Sequence, residues 1–275
     1  MKKQFAVIGN PVQHSLSPTM HNAAFKALEI KAVYSAVTLA ADELPLFFNR
    51  MRAGAFDGVN ITIPYKQKVF DLVDTLTADA EQTGAVNTVY RQDNRLVATN
   101  TDGAGFINSL LADTALDPTE KNCVIIGAGG ACHAIAFALC KRGIAALTLI
   151  NRDPNKAAGL SYRLKARFNK INVSTACFAD LSRVLPQADL LINTTPLGTP
   201  GIPWPEVTFV DHLSPRAVVS DIVYNPADTP LLVKAQDRGL ITHSGIGMLV
   251  HQGALAFELF TGLKAPINIM RGAIT

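Results

Sequence analysis

The apolar pattern predicts an α/β fold, on three observations. Strand-like and helix-like apolar runs alternate from one end of the chain to the other. Near the middle, a β-branched strand runs into Gly127-Ala128-Gly129-Gly130-Ala131 and an Ala-rich helix, the order of a βαβ unit. The 275 residues, 48% hydrophobic and 17% charged, suffice for one large or two modest domains and exclude a disordered chain.

Taken in order, Phe5 to Gly9 reads as the first strand, followed by a helix near Pro18 to Leu28. Val33 to Leu39 is a strand, Glu43 to Arg52 a helix and Phe56 to Ile63 a strand. Two short strands, near Ala85 to Tyr90 and Leu96 to Thr99, flank a turn at Asp93-Asn94. A second unit begins after Asp102, with a strand at Lys121 to Gly127, a helix at Ala131 to Arg142, a strand at Leu147 to Ile150 and a helix at Pro154 to Phe168. Leu190 to Asn193 and Val218 to Val223 supply further strands, Gly247 to Phe260 is helical, and so is the tail after Pro266. The loop from Thr194 to Val207 holds four prolines and two glycines, as a binding loop or an irregular connection.

The net charge of +3 is spread over mixed acids and bases, so no nucleic-acid partner is expected. Lys2 and Lys3 precede only Phe5-Ala6-Val7-Ile8 before Gly9, too short for a secretory core. The most apolar stretch, Val124 to Cys140, is broken by Gly127, Gly129, Gly130 and His133, so no membrane span is expected, and the cysteine usage points to a reducing cytoplasm. Cys123, Cys132, Cys140 and Cys177 show no CxxC spacing, which suits structural thiols and no metal site.

Two segments carry chemistry. In Asn60-Ile61-Thr62-Ile63-Pro64-Tyr65-Lys66, strand alternation points Asn60 and Thr62 one way with Ile61 and Ile63 packed behind. Pro64 ends the strand and Lys66 follows at its mouth. An amide, a hydroxyl and an ammonium there can read a small polyhydroxylated molecule; the alternative is a surface lysine after a half-buried strand. The second segment is the Gly127–Ala131 turn, whose glycines allow close backbone approach to a pyrophosphate at a helix N-terminus. Cys132 takes the third position of the GxGxxG pattern. At the end of the next strand Asn151-Arg152, with Lys156 one turn on, suits a 2′-phosphate and hence NADP, with NAD as the weaker cofactor; Asp153 works against this. Otherwise Arg152 and Lys156 only solvate a helix start. Asp102 could cap the helix it precedes, and Ser17 before Pro18 could be an N-cap or, with Ser15, grip a carboxylate.

Together these segments resemble the shikimate dehydrogenase family over nearly the whole chain. The resemblance rests on His14-Ser15-Leu16-Ser17-Pro18 with His21-Asn22, Val59 to Pro64 with Lys66, Gly84-Ala85-Val86-Asn87-Thr88 and Asn100-Thr101-Asp102-Gly103. It continues through Gly127 to Ala131, Asn151-Arg152, Asn193 to Gly198, Asp221 to Pro226 and Gly247 to Gln252. It implies a substrate domain (1–103, completed by 245–275) and a Rossmann-like NADP domain (104–244). It also implies reversible NADP-dependent reduction of 3-dehydroshikimate to shikimate, on the route to aromatic amino acids, by a monomer or homodimer. Lys66 and Asp102 would be the catalytic pair, and Ser15 and Ser17, with Tyr224, would hold the substrate carboxylate. Asn60, Thr62, Asn87 and Gln252 would contact the ring, and Gly245 and Met248 the nicotinamide. A quinate/shikimate dehydrogenase, or a relative with another substrate or NAD preference, is the alternative; a silent dinucleotide sensor should have lost Lys66 or Asp102. Asp153 stands where NADP-binding members carry Thr, His133 where Arg or Ala is common, and Ser244 where Asp often precedes the glycine.

Overall fold

The computed structural model describes residues 2–275. It divides into two compact α/β units, one formed by residues up to Gly105 with Val250–Thr275, the other by Phe106–Leu249.

The first unit contains β1 (Lys3–Gly9), α1 (Ser17–Ala27), β2 (Ala32–Thr38), α2 (Leu44–Arg52), β3 (Gly58–Ile61), β4 (Thr75–Leu76), α3 (Ala78–Thr83), β5 (Thr88–Gln92) and β6 (Arg95–Thr99). The sheet order is β2-β1-β3-β5-β6-β4. The β1 pairings with β2 and β3 are parallel, whereas β3–β5 and β5–β6 are antiparallel. Asp93 and Asn94, at φ 50° and 60°, close the β5–β6 hairpin in the left-handed region that suits the strand twist. Phe47, Phe48, Met51, Val59, Ile61 and Tyr65 anchor the core on one face of this sheet.

The expected strand from Phe56 to Ile63 is shorter than its apolar pattern. It ends at Ile61, and a turn closed by Tyr65 N–H to the Thr62 carbonyl (2.9 Å) leaves Ile63 70% exposed rather than packed behind Asn60.

The chain then enters α4 (Asp102–Thr114), which leads to β7 (Asn122–Ile126), α5 (Gly130–Arg142), β8 (Ala146–Ile150), α6 (Pro154–Arg167), β9 (Asn172–Ala176), α7 (Leu181–Val184), β10 (Leu190–Asn193), β11 (Val218–Asp221), α8 (Pro230–Asp237) and β12 (Ile241–Ser244). The second sheet is parallel throughout, in the order β12-β11-β10-β7-β8-β9. Its central strands are buried on both faces, as crossover helices require. Cys123 and Ile125 of β7 face one core cluster, and Val124 and Ile126 face the other. α9 (Gly245–Thr261) and α10 (Ile267–Gly272) end the chain.

The sequence pattern did not register β4, α3, β9, α7, α8 or β12. β4 has two residues and α3 six, while β9 and β12 are polar edge strands whose buried residues are Val173 and His243. Among the described residues no helix is long and apolar enough to cross a membrane.

Candidate active site

In the first unit the strand ends assemble a connected set of polar side chains. Lys66, five residues past β3, places its Nζ 2.5 Å from Asp102 Oδ2, with side chains 19% and 5% exposed. The other carboxylate oxygen accepts from Asn87 Nδ2 at 2.8 Å. Asp102 thus spends both oxygens on side chains instead of capping α4, and its own N–H is held by Asn100 Oδ1 (2.9 Å). The orientation of the Asn87 amide follows from its neighbours. The backbone N–H of Thr101 can only donate, so the atom 2.8 Å away must be Oδ1, which leaves Nδ2 facing Asp102. Nδ2 also reaches Thr101 Oγ1 (2.9 Å) and Gln252 Oε1 (3.3 Å). Its two protons cannot serve three acceptors equally, and Gln252 is the weakest partner.

The network continues across the sheet. Thr88 Oγ1 donates to Asn87 Oδ1 and accepts from Asn60 Nδ2, both at 2.9 Å. Asn60 Oδ1 accepts from the Tyr34 hydroxyl at 2.7 Å. That hydroxyl is also bonded to Ser17, and since its one proton goes to Asn60, Ser17 is the donor. Burial pushes the Tyr34 phenol well above its ordinary range, so it stays neutral. Asn22 of α1 fixes the main chain of Tyr34 through two hydrogen bonds (2.8 and 2.9 Å), and His21 stacks on its ring at 4.3 Å with planes 3° apart. Ser17 opens α1 without an N-cap role, since Leu16 holds the cap position and no side chain caps it. Ser15 Oγ accepts the Ser17 N–H at 3.3 Å. Thr62 lies just beyond β3, against Gly9, where a Cβ on Gly9 would meet its methyl at 2.5 Å. Sequence reading missed Tyr34 as a member of this set; Thr88 and Thr101 lay unmarked inside the Gly84–Thr88 and Asn100–Gly103 motifs.

In the second unit the loops after β7, β8 and β10 lie together at the carboxyl ends of the strands, where open parallel sheets bind ligands. Gly127 N–H donates to the Ile150 carbonyl (2.7 Å) and Thr194 N–H to the Ile126 carbonyl (2.8 Å). Gly127 sits at φ 118°, and a Cβ there would lie 2.3 Å from Thr194 Oγ1, so no other residue fits. Gly129 is the opposite case: a Cβ would meet nothing within 4 Å. It is the N-cap of α5 and brings no side-chain acceptor to the N–H groups of the first turn, at Gly130 and Ala131. Those features fit a dinucleotide diphosphate. Cys132 is fully buried beneath, small enough for close helix–sheet packing.

Gly127, Asn151 and Arg152 line a cavity of about 850 Å³, which continues between Pro196, Trp204 and Phe209. Arg152 forms no ion pair among the described residues, which suits an anion site. Lys156 is exposed on α6 outside this lining. Tyr224 is half-buried after β11, its phenol raised by burial. Gly245 opens α9 where a Cβ would meet the Ile222 carbonyl oxygen at 2.4 Å, and Met248 is 7% exposed in the core. Ser244 Oγ accepts the Ile246 N–H at 3.4 Å, a capping contact that Asp at this position could also make. Among the described residues no group of three or more His, Cys, Asp or Glu is placed to hold a metal.

Known proteins match these parts in order. Family models match residues 7–89 (shikimate dehydrogenase substrate binding domain), 110–227 (shikimate/quinate 5-dehydrogenase) and 245–275 (shikimate 5′-dehydrogenase C-terminal domain). An NADP(+) shikimate dehydrogenase of Methanopyrus kandleri is 43% identical over 98% of this chain and 93% of its own. The shikimate 5-dehydrogenase of Thermus thermophilus, solved with NADP(H) and shikimate, superposes with a TM-score of 0.86 at 34% identity over 98% of each chain. A quinate dehydrogenase of Corynebacterium glutamicum solved with NAD gives 0.90 at 31% identity over 99% of this chain and 97% of that one. The chain belongs to the shikimate dehydrogenase family.

Proposed function

We propose that the chain catalyses the reversible, NADP-dependent reduction of 3-dehydroshikimate to shikimate, in the cytoplasm, as a monomer or homodimer with no nucleic-acid or membrane partner. The observation that carries this reading is the Lys66–Asp102 pair. An ammonium has three donors, and Asp102 takes one of those on Lys66, leaving two for a ligand. Bound NADPH supplies the hydride. As charge develops on the substrate carbonyl oxygen, Lys66 donates a hydrogen bond and then a proton to it. Asp102, fixed by Asn87, keeps the ammonium aimed. In the oxidative direction the same side chain takes the hydroxyl proton.

Ser15 and Ser17 hold the substrate carboxylate, Ser17 by turning its one hydroxyl proton from Tyr34 to the ligand, and Asn60, Thr62, Asn87 and Gln252 contact ring substituents, which assigns substrate binding to the first unit. In the second, the turn from Gly127 through Ala128, Gly129 and Gly130 to Ala131 holds the diphosphate. Asn151, Arg152 and Lys156 face the 2′-phosphate, and Gly245 and Met248 the nicotinamide. An absorbance assay at the NADPH band, with shikimate and quinate each against NADP and NAD, tests the reading. The highest kcat/KM is expected for shikimate with NADP. Equal or faster turnover of quinate, or of NAD, overturns the corresponding half.

A further inference from the structure

We propose that Asp153 is a positioning residue for the 2′-phosphate site, acting through Arg152, and that its negative charge does not set the cofactor preference. This rests on the NADP reading above. In a βαβ nucleotide unit, an acidic side chain at the end of the second strand accepts the ribose 2′-hydroxyl and repels a 2′-phosphate. On charge alone Asp153, shortly after β8, belongs to that class. Its carboxylate is committed elsewhere. Asp153 is the N-cap of α6, with Pro154 at the helix start, and its Oδ1 accepts the Asn155 N–H at 3.0 Å. A carboxylate at this place is countered by the positive end of a 14-residue helix. Its main-chain carbonyl is used as well, accepting from Asn151 Nδ2 at 2.8 Å.

Asp153 therefore closes a short turn from two sides, its carboxylate to the helix and its carbonyl to the Asn151 side chain. Arg152 lies between the two anchors. It lines the cavity with Asn151 and Gly127, and it forms no ion pair with the adjacent Asp153. A cap-competent residue at 153 thus fixes the main chain that carries Arg152. Charge and capping predict opposite signs. If charge dominates, any neutral residue at 153 strengthens NADP; if capping dominates, only a neutral cap preserves it.

The test is calorimetric titration of NADP and NAD into the wild-type protein, Asp153→Asn and Asp153→Ala, with melting temperatures to show that each is folded. Asparagine caps as well as aspartate does, so Asp153→Asn should bind NADP at least as tightly as wild type, to within about threefold. Asp153→Ala lacks the cap and should bind NADP about threefold or more weakly, with NAD changed by less than about twofold. Equal shifts in NADP affinity for the two variants overturn the proposal. So does a lower melting temperature for Asp153→Ala with an unchanged NADP-to-NAD ratio, which would make Asp153 a helix cap and nothing more. A wild-type protein with no preference for NADP would instead refute the cofactor reading, and this proposal with it.

Discussion

The two candidate sites are made of different material. In the first unit, side chains hold one another: Tyr34, Asn60, Thr88, Asn87, Asp102 and Lys66 form an unbroken hydrogen-bonded series in which most members are buried. In the second, the recognition surface is main chain. No Cβ fits at Gly127, a Cβ on Gly129 would meet no protein atom within 4 Å, and no side chain caps the first turn of α5. The difference dictates how each site fails. A side-chain network fails by deletion, because each lost member leaves a buried partner unsatisfied. A backbone cradle fails by addition, because one methyl group occupies the ligand's place.

The largest effect should come from deletion at Lys66. Lys66→Ala should lower kcat by about 10²–10⁴-fold, the usual contribution of a positioned acid or base. NADP affinity measured by titration should stay near wild type. Near-normal turnover would remove Lys66 from the chemistry, and a parallel loss of NADP binding would break the separation between the two sites.

Addition in the second unit comes next, and two glycines two residues apart should respond differently. At Gly127→Ala, the new Cβ would meet Thr194 Oγ1 at 2.3 Å in a φ 118° conformation, so both NADP affinity and melting temperature should fall. At Gly129→Ala the new Cβ meets no protein atom within 4 Å, so the melting temperature should hold while NADP weakens by about tenfold or more. If Gly129→Ala binds NADP normally, the diphosphate does not lie over that turn.

The same contrast explains what could be read before the structure. The glycine turn and the strands around it are written locally, as a β-branched run, small residues and an Ala-rich helix, so they were legible. The side-chain network is written across the sheet. Lys66, Asp102 and Asn87 stood out within their own motifs, but Tyr34 lies 26 residues from Asn60, and nothing in Ala32–Thr38 marks one buried tyrosine as polar-functional. Ile63 misled for the converse reason: apolar alternation continues past the residue where the chain turns away from the sheet. Ser17 read equally well as a cap, because a hydroxyl before proline carries the same local signal whether it bonds its own helix or a tyrosine on the neighbouring strand.

The smallest effect at neutral pH is expected at His21, under the network. Both ring nitrogens are buried without hydrogen-bond partners, and burial lowers its pKa from the ordinary 6.5 to about 3. Below pH 6.5 the unfolded chain takes up a proton that the folded chain refuses. Stability from this residue is therefore full above pH 6.5 and is lost progressively as pH falls toward 3. At pH 5 the loss amounts to about 2 kcal/mol. His21→Leu removes the titration. At pH 7 it should change stability by about 1 kcal/mol or less, since relief of two unpaired nitrogens offsets the lost stacking on Tyr34. Urea unfolding at pH 7 and pH 5 should then show the variant gaining on wild type only in acid. An equal acid loss in both proteins would mean that His21 is protonated in the fold, and that Tyr34 is held against a charge rather than a neutral ring.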